Sequence, residues 1–217
     1  MNPTLQPQGD TALVLTVSTA LADQQRLWRM QRVLQQRHPD WWQVLGVGNL
    51  TVRFDPLTTD AGLIEQGMQS AWTDSRDAEP VRGQRHDIPV HYGGKAGPDL
   101  AAVAEFSGLT PQQVIELHAA QDYAVYCIGF LPGFPYLGGL DERLIIPRRA
   151  RPRQKKVPAG SVGIGGMQTG IYPCASPGGW HLIGRTDTRL FDVTQMPPAL
   201  LAPGDTLRFV PSTEAAA

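Results

Sequence analysis

Cysteine is nearly absent from this chain. Cys127 and Cys174 are the only two in 217 residues, too few for a disulfide framework and not spaced as a C-x-x-C metal or redox pair. Long apolar runs are missing as well. No stretch approaches the ~20 residues that a membrane-crossing helix needs, and the N-terminus has neither the basic start nor the apolar core of a secretory signal. These absences predict a cytoplasmic protein with no membrane partner. An excess of one charge is also lacking. Lys and Arg number 19 against 20 Asp and Glu, for a formal net charge of −1, whereas nucleic-acid binding is usually carried by a strongly basic domain.

Several catalytic signatures fail by one residue. "AGSVGIGGMQTG" (159–170) is rich in glycine, but Gln168 stands where G-x-G-x-x-G needs its last glycine, and no Gly-Lys-Ser/Thr follows any glycine run. "GGKAG" (93–97) fails because Ala96 follows the lysine. Ser161 misses the G-x-S-x-G elbow because Ala159 replaces the first glycine. His86 and His91 are five apart, so on one strand they face opposite ways and share no metal. His118 lies on a helix face with Val114 and reads as a satisfied, largely buried side chain. No metal site is expected.

Glycine and proline are plentiful, at 23 and 19 residues, which predicts many turns and short strands. The first part of the chain reads as a small α/β unit. "TALVLTV" (11–17) is an apolar strand. Leu27, Met30 and Leu34 recur at helical spacing, and Pro39 ends that helix at His38. "NLTVRFDP" (49–56) alternates as a half-buried strand, a second helix carries Ile64, Met68, Ala71 and Trp72, and "RHDIPVHY" (85–92) is a further strand. The order β-α-β-β-α-β predicts a ferredoxin-like N-terminal domain over residues 1–92. Two helices follow, the second capped by Thr110 with Pro111 in its first turn. "DYAVYCIGF" (122–130) is then apolar on both strand faces, as in a covered sheet or barrel. The fold class is therefore α+β, with a β-barrel domain over residues 93–217.

Two segments suggest chemistry. "RRARPRQKK" (148–156) holds six cations in nine residues. It reads as a solvated loop, as an anion site, since guanidinium forks match carboxylate and phosphate, or as a nucleic-acid contact, against which the absence of aromatics interleaved with these cations speaks. "MQTGIYPCASPGGWHLIGRT" (167–186) is a polar, glycine-punctuated stretch. Arg148, Arg149, Arg153 and Arg185 are the candidates for anion binding. Gln168, Thr169, Tyr172 and Ser176 offer a polar edge suited to an amide or lactam. Gly178 and Gly179 permit close backbone approach, and Trp180 opens the next strand. Gln168, Thr169 and Arg185 are the catalytic candidates, and no general base stands out. In "GFLPGFPYLGGL" (129–140), Phe130, Phe134 and Tyr136 suggest a partner surface.

Long motifs carry a family resemblance: "DIPVHYGGKAGPDL", "YCIGFLPGFPYLGGLDERLIIPRRARPR", "VPAGSVGIGGMQTGIYPCASPGGWHLIGRT" and the closing "PGDTLRF". Over about residues 8–210 the chain resembles the allophanate hydrolase subunit 1 family. That family includes a component of bacterial ATP-dependent 5-oxoprolinases and a sporulation histidine-kinase inhibitor. The resemblance implies a cyclophilin-like barrel and a permanent partner, a subunit-2-type chain. It implies further a complex with a third, LamB-type chain that opens 5-oxo-L-proline to L-glutamate at the expense of ATP. Mg2+ would accompany the nucleotide, and no tightly bound cofactor is implied. Kinase inhibition, or service in urea and allophanate metabolism of the carboxyltransferase type, are the alternatives that the resemblance leaves open. The chain departs from the family pattern at "LGVGN" (45–49) and at Gly165-Gly166.

Overall fold

Leucines and methionines at helical spacing meet leucines and valines at strand spacing, and the N-terminal core follows from that match. A computed structural model describes residues 3–149 and 154–212. Its contacts divide the chain into two units, residues 1–82 and 83–217. In the first unit the order is β1 (Thr4–Pro7), β2 (Ala12–Thr16), α1 (Leu21–Arg37), β3 (Trp42–Leu45), β4 (Asn49–Arg53) and α2 (Ala61–Asp74). The sheet runs β1-β2-β4-β3, antiparallel throughout. Leu15, Leu50 and Val52 on its strands and Leu27, Met30, Leu34, Ile64 and Met68 on the helices are buried almost completely. Buried Gln24 donates to Gly46 O at 3.1 Å and accepts from Gly48 N at 2.8 Å. It thereby pins the β3–β4 turn, where Gly48 takes a left-handed φ of 69°.

The split βαβ core, β2-α1-β3 with β4 between the two strands, is the expected ferredoxin-like one. Its outer strand is not. Residues 85–92 were expected to close this sheet, but they belong to the second unit, and Thr4–Pro7 fills the edge beside β2. The reason is pairing. A short turn at Gly9 lets β1 fold back on β2 locally, while 85–92 finds two partners in the barrel.

That barrel begins with β5 (Arg85–Tyr92) and continues through α3 (Leu100–Ser107), α4 (Pro111–Ala120), β6 (Asp122–Ile128), β7 (Pro135–Gly138) and a 3-10 turn at Glu142–Leu144. Then come β8 (Gln154–Val157), β9 (Ser161–Gly165), β10 (Gln168–Ile171), β11 (Ser176–Gly178), β12 (His181–Arg185) and β13 (Thr206–Pro211). Seven strands close in the order β10-β7-β6-β13-β5-β12-β9, with β13 parallel to β5. α4 starts at the predicted Thr110 cap, and the structure extends it to a capping box: Thr110 Oγ1 accepts from Gln113 N, and Gln113 Oε1 accepts from Thr110 N. Ile88, Val90, Val125, Leu137, Val162, Ile164, Ile171 and Ile183 fill the interior. Among the described residues, no helix is long and apolar enough to cross a membrane.

A second, smaller core lies on the barrel's outer wall. Strand alternation that sends Val162, Ile164 and Ile171 inward sends Gly163, Gly165 and Gly170 outward. The β8–β11 ribbon covers this wall, and Phe134, Val157, Tyr172, Trp180 and Leu182 pack together there. The glycines make room for the rings. A Cβ on Gly165 would lie 2.6 Å from the Trp180 indole, and one on Gly170 would lie 3.0 Å from it.

Candidate functional site

The Trp180 indole is the centre of an aromatic cluster on that outer wall. Phe134 meets it edge-on at 5.5 Å and Tyr136 at 6.0 Å, and Tyr172 meets Phe134 at 5.2 Å. The segment 147–149 runs alongside residues 179–181. Arg149 N donates to Gly179 O at 2.9 Å, and His181 Nε2 lies 3.1 Å from Pro147 O. This pairing brings the first cations of the basic run onto the glycine bend, so Arg148, Arg149, Gly178, Gly179 and Trp180 share one place. The exposed Arg148 side chain holds its guanidinium 5.5 Å from the Trp180 ring centroid, in reach of a cation–π attraction. Burial pushes the Tyr136 and Tyr172 hydroxyls up. Arg148 pulls both back in part, and Tyr172 is also lowered by a hydrogen bond from the Trp180 backbone.

Gln168 enters the same face through register. Thr169 pairs with Leu137 and Gln168 with Gly165, so Gln168 runs between Gly165 and, one step along the β7 pairing, Gly138. Trp180 packs on Gly165 and Tyr126 on Gly138. The amide therefore extends between two glycines, each carrying an aromatic ring. Its Nε2 is buried with no hydrogen-bond partner in the described residues. An unsatisfied buried donor of this kind calls for an acceptor.

Other expected residues are committed elsewhere. Thr169 points into the barrel, fully buried, where its hydroxyl donates to Gly163 O at 3.0 Å and accepts from His118 Nε2 at 2.9 Å. It was a catalytic candidate, and strand alternation removes it, since the neighbour of an outward Gln168 must face inward. His118 completes a buried relay: Tyr92 Oη lies 2.7 Å from its Nδ1, Tyr123 Oη donates to its carbonyl, and Phe209 stacks on its ring. Burial lowers its pKa to about 3, so the ring is neutral. Arg149 is no free anion receptor, because it forms a 2.5 Å ion pair with Asp99, which is 2% exposed. Asp99 Oδ2 also accepts from Leu182 N at 2.9 Å, which makes the pair a clamp between α3 and β12. Ser176 is buried, with its hydroxyl on Pro177 O. Phe134 is 1% exposed and serves the outer core, leaving Phe130, at 59%, and half-buried Tyr136 as the accessible members of the expected partner surface. Arg185 lies at the far end of β12, about 16 Å of strand from Trp180. Arg153 lies outside the described residues.

Sequence reading missed Tyr126, Asp99 and the relay role of His118. Asp99, just before the apolar run of α3, carried a signal as a helix-start acid. The other two become visible only through pairing across the barrel. Elsewhere, a depression of about 560 Å3 beside residues 189–200 contains Asp205, but that carboxylate is spent on Gln84 N, Ala202 N and His86. Cys127 is buried and its thiol is pushed up to about 12. That value excludes it as a thiolate near neutrality.

Comparison with known proteins agrees with this architecture. The chain is 49% identical to the B subunit of 5-oxoprolinase from Escherichia coli O157:H7 over 209 residues, covering 95% of this chain and 94% of that one. It is 46% identical to the corresponding B subunit from Haemophilus influenzae, covering 94% and 95%. The urea carboxylase of Kluyveromyces lactis superimposes with a TM-score of 0.79 at 20% identity, a likeness of fold that covers 97% of this chain and 22% of that one. The model for the carboxyltransferase domain, subdomains C and D, matches residues 3–201. The chain belongs to that carboxyltransferase-domain family.

Proposed function

We propose that this chain is the B-type component of an ATP-dependent 5-oxoprolinase, working in the cytoplasm with a subunit-2-type chain and a LamB-type chain. The observation that carries the reading is near-half identity over nearly full length to two proteins of that name. The outer-wall site supports it chemically. 5-Oxoproline is a lactam bearing a carboxylate. Arg148 takes the carboxylate by charge-assisted hydrogen bonds. Gln168 meets the lactam as amide meets amide, with Nε2 donating to the ring carbonyl and Oε1 accepting the ring N–H. Trp180 and Tyr136 give the ring an apolar wall. Through Gly163 O and Thr169, the His118 relay holds β9 and β10 in the register that aims Gln168 outward.

ATP and Mg2+ fit this chain less well. The glycine-rich segment has no phosphate-loop signature, and no three of the described His, Cys, Asp and Glu residues gather as a metal ligand set. Activation of the lactam by the nucleotide is therefore assigned to the assembled complex, and this chain's residues bind and orient. The test is co-expression with the subunit-2-type and LamB-type chains, followed by 5-oxoproline-dependent ADP release. Arg148→Gln is expected to raise KM roughly 10- to 100-fold, the loss of one charge-assisted contact. Absence of turnover in every combination would sink the reading. The carboxyltransferase description favours a second reading, service in urea or allophanate metabolism, and the same complex supplied with those substrates tests it.

A further inference from the structure

Arg185 is the cation that the outer-wall site leaves unused. On β12 it pairs with His91 of β5 on one side and Ser161 of β9 on the other. Ile88 and Val90 point into the barrel, as do Val162 and Ile164, so alternation turns His91 and Ser161 outward. Histidine, arginine and serine thus stand in one row across three strands. Ser161 is 2% exposed and the His91 side chain 15%. Arg185 is half-buried, and its Nε is enclosed without a hydrogen-bond partner, as is His91 Nδ1. Among the described residues, Arg185 has no acid to pair with. Asp187, 57% exposed, lies 3.7 Å from His91 Nε2, on the other nitrogen of that ring. Gly160, at a φ of 78°, narrows the place further: a Cβ there would lie 2.0 Å from Thr186 O and 3.4 Å from Arg185 Cγ.

A half-buried guanidinium normally meets an anion, because burial removes the water that would otherwise solvate it. We propose that Arg185, His91 and Ser161 form an oxyanion-binding site, for a carboxylate or phosphate group, at the opposite end of β12 from the Trp180 site. Arg185 offers its planar fork, Ser161 a hydroxyl, and His91 a ring nitrogen facing away from Asp187. The site is separate from the proposed lactam site and does not depend on that reading.

The experiment records the arginine Nε–H resonances of the full chain by NMR while inorganic phosphate, or in a second arm acetate, replaces chloride at constant ionic strength. Arg185→Gln identifies the Arg185 signal. The expected result is a saturable shift of that signal with one or both anions, and the arm that responds names the ligand class. Arg185→Lys, with its fold checked by circular dichroism and its binding read from the backbone amide resonances of the paired residues His91 and Ser161, is expected to weaken the binding roughly ten-fold or more, because an ammonium lacks the fork. Arg148→Gln is expected to leave it unchanged. No saturable shift in either arm, undiminished affinity in Arg185→Lys, or loss of the shift in Arg148→Gln would each overturn the proposal.

Discussion

Arg149 and Arg185 flank the same strand and are both half-buried, yet only Arg149 is answered by an acid. The difference separates architecture from readiness. Asp99 converts Arg149 into a clamp between α3 and β12, whereas Arg185 remains a charge awaiting a counterion. Arg148, next to Arg149 in sequence, is a third case: an exposed cation over an aromatic ring. Identity in sequence gives these three arginines the same chemistry, and the surroundings assign them different tasks.

The contrast breaks most severely at Asp99. Asp99→Ala strands a half-buried guanidinium and the Leu182 N–H together. It is expected to destabilise the chain by about 2–4 kcal/mol, somewhat less than breaking a fully buried pair because water reaches part of the guanidinium, as read by urea denaturation. Gly165→Ala tests the floor beneath Trp180. Its Cβ would collide with a ring that packing holds in place, so a loss of about 1–3 kcal/mol is expected, together with a changed Trp fluorescence spectrum. Thr169→Val leaves His118 Nε2 and Gly163 O unpaired and is expected to cost about 1–3 kcal/mol. Thr169→Ser should recover most of it, an outcome that a merely volumetric role would not give.

The same relay predicts a pH dependence. The His118 pKa falls from 6.5 to about 3 on folding because burial disfavours the charged ring. Between those values the unfolded chain binds a proton that the folded chain refuses, so stability falls as pH drops from 6.5 toward 3. The slope from this group is up to about 1.4 kcal/mol per pH unit. Denaturation midpoints at pH 7 and pH 5 should differ less in His118→Gln than in the unaltered chain. At the small end, Arg185→Gln is expected to change stability by no more than about 0.5 kcal/mol. A larger loss would place Arg185 with Arg149 as a structural residue and erase the contrast.

Much of this was legible in sequence. Leu27, Met30 and Leu34 announce α1, Thr110 and Pro111 announce α4, and the segment at 122–130, apolar on both strand faces, announces a barrel wall or covered sheet. The bond from Arg149 N to Gly179 O, which joins the start of the basic run to the glycine bend, could not be read from either segment alone. The allegiance of residues 85–92 was not legible, because their alternation fits either sheet and only the partners β12 and β13 decide. Gln168 and Thr169 could not be told apart as polar neighbours until register fixed which one faces the core. Phe134 looked like a surface aromatic because the outer core that buries it is assembled from segments well separated in sequence.

The barrel's connectivity has a consequence for synthesis. β13 lies between β5 and β6, the earliest two strands of its own unit. A nascent chain that has produced residues 85–205 still has a seam where residues 206–211 belong, with both flanking strands offering open edges. Ring closure must therefore wait until the last strand emerges from the ribosome, and premature termination before it leaves a product primed for edge-to-edge aggregation.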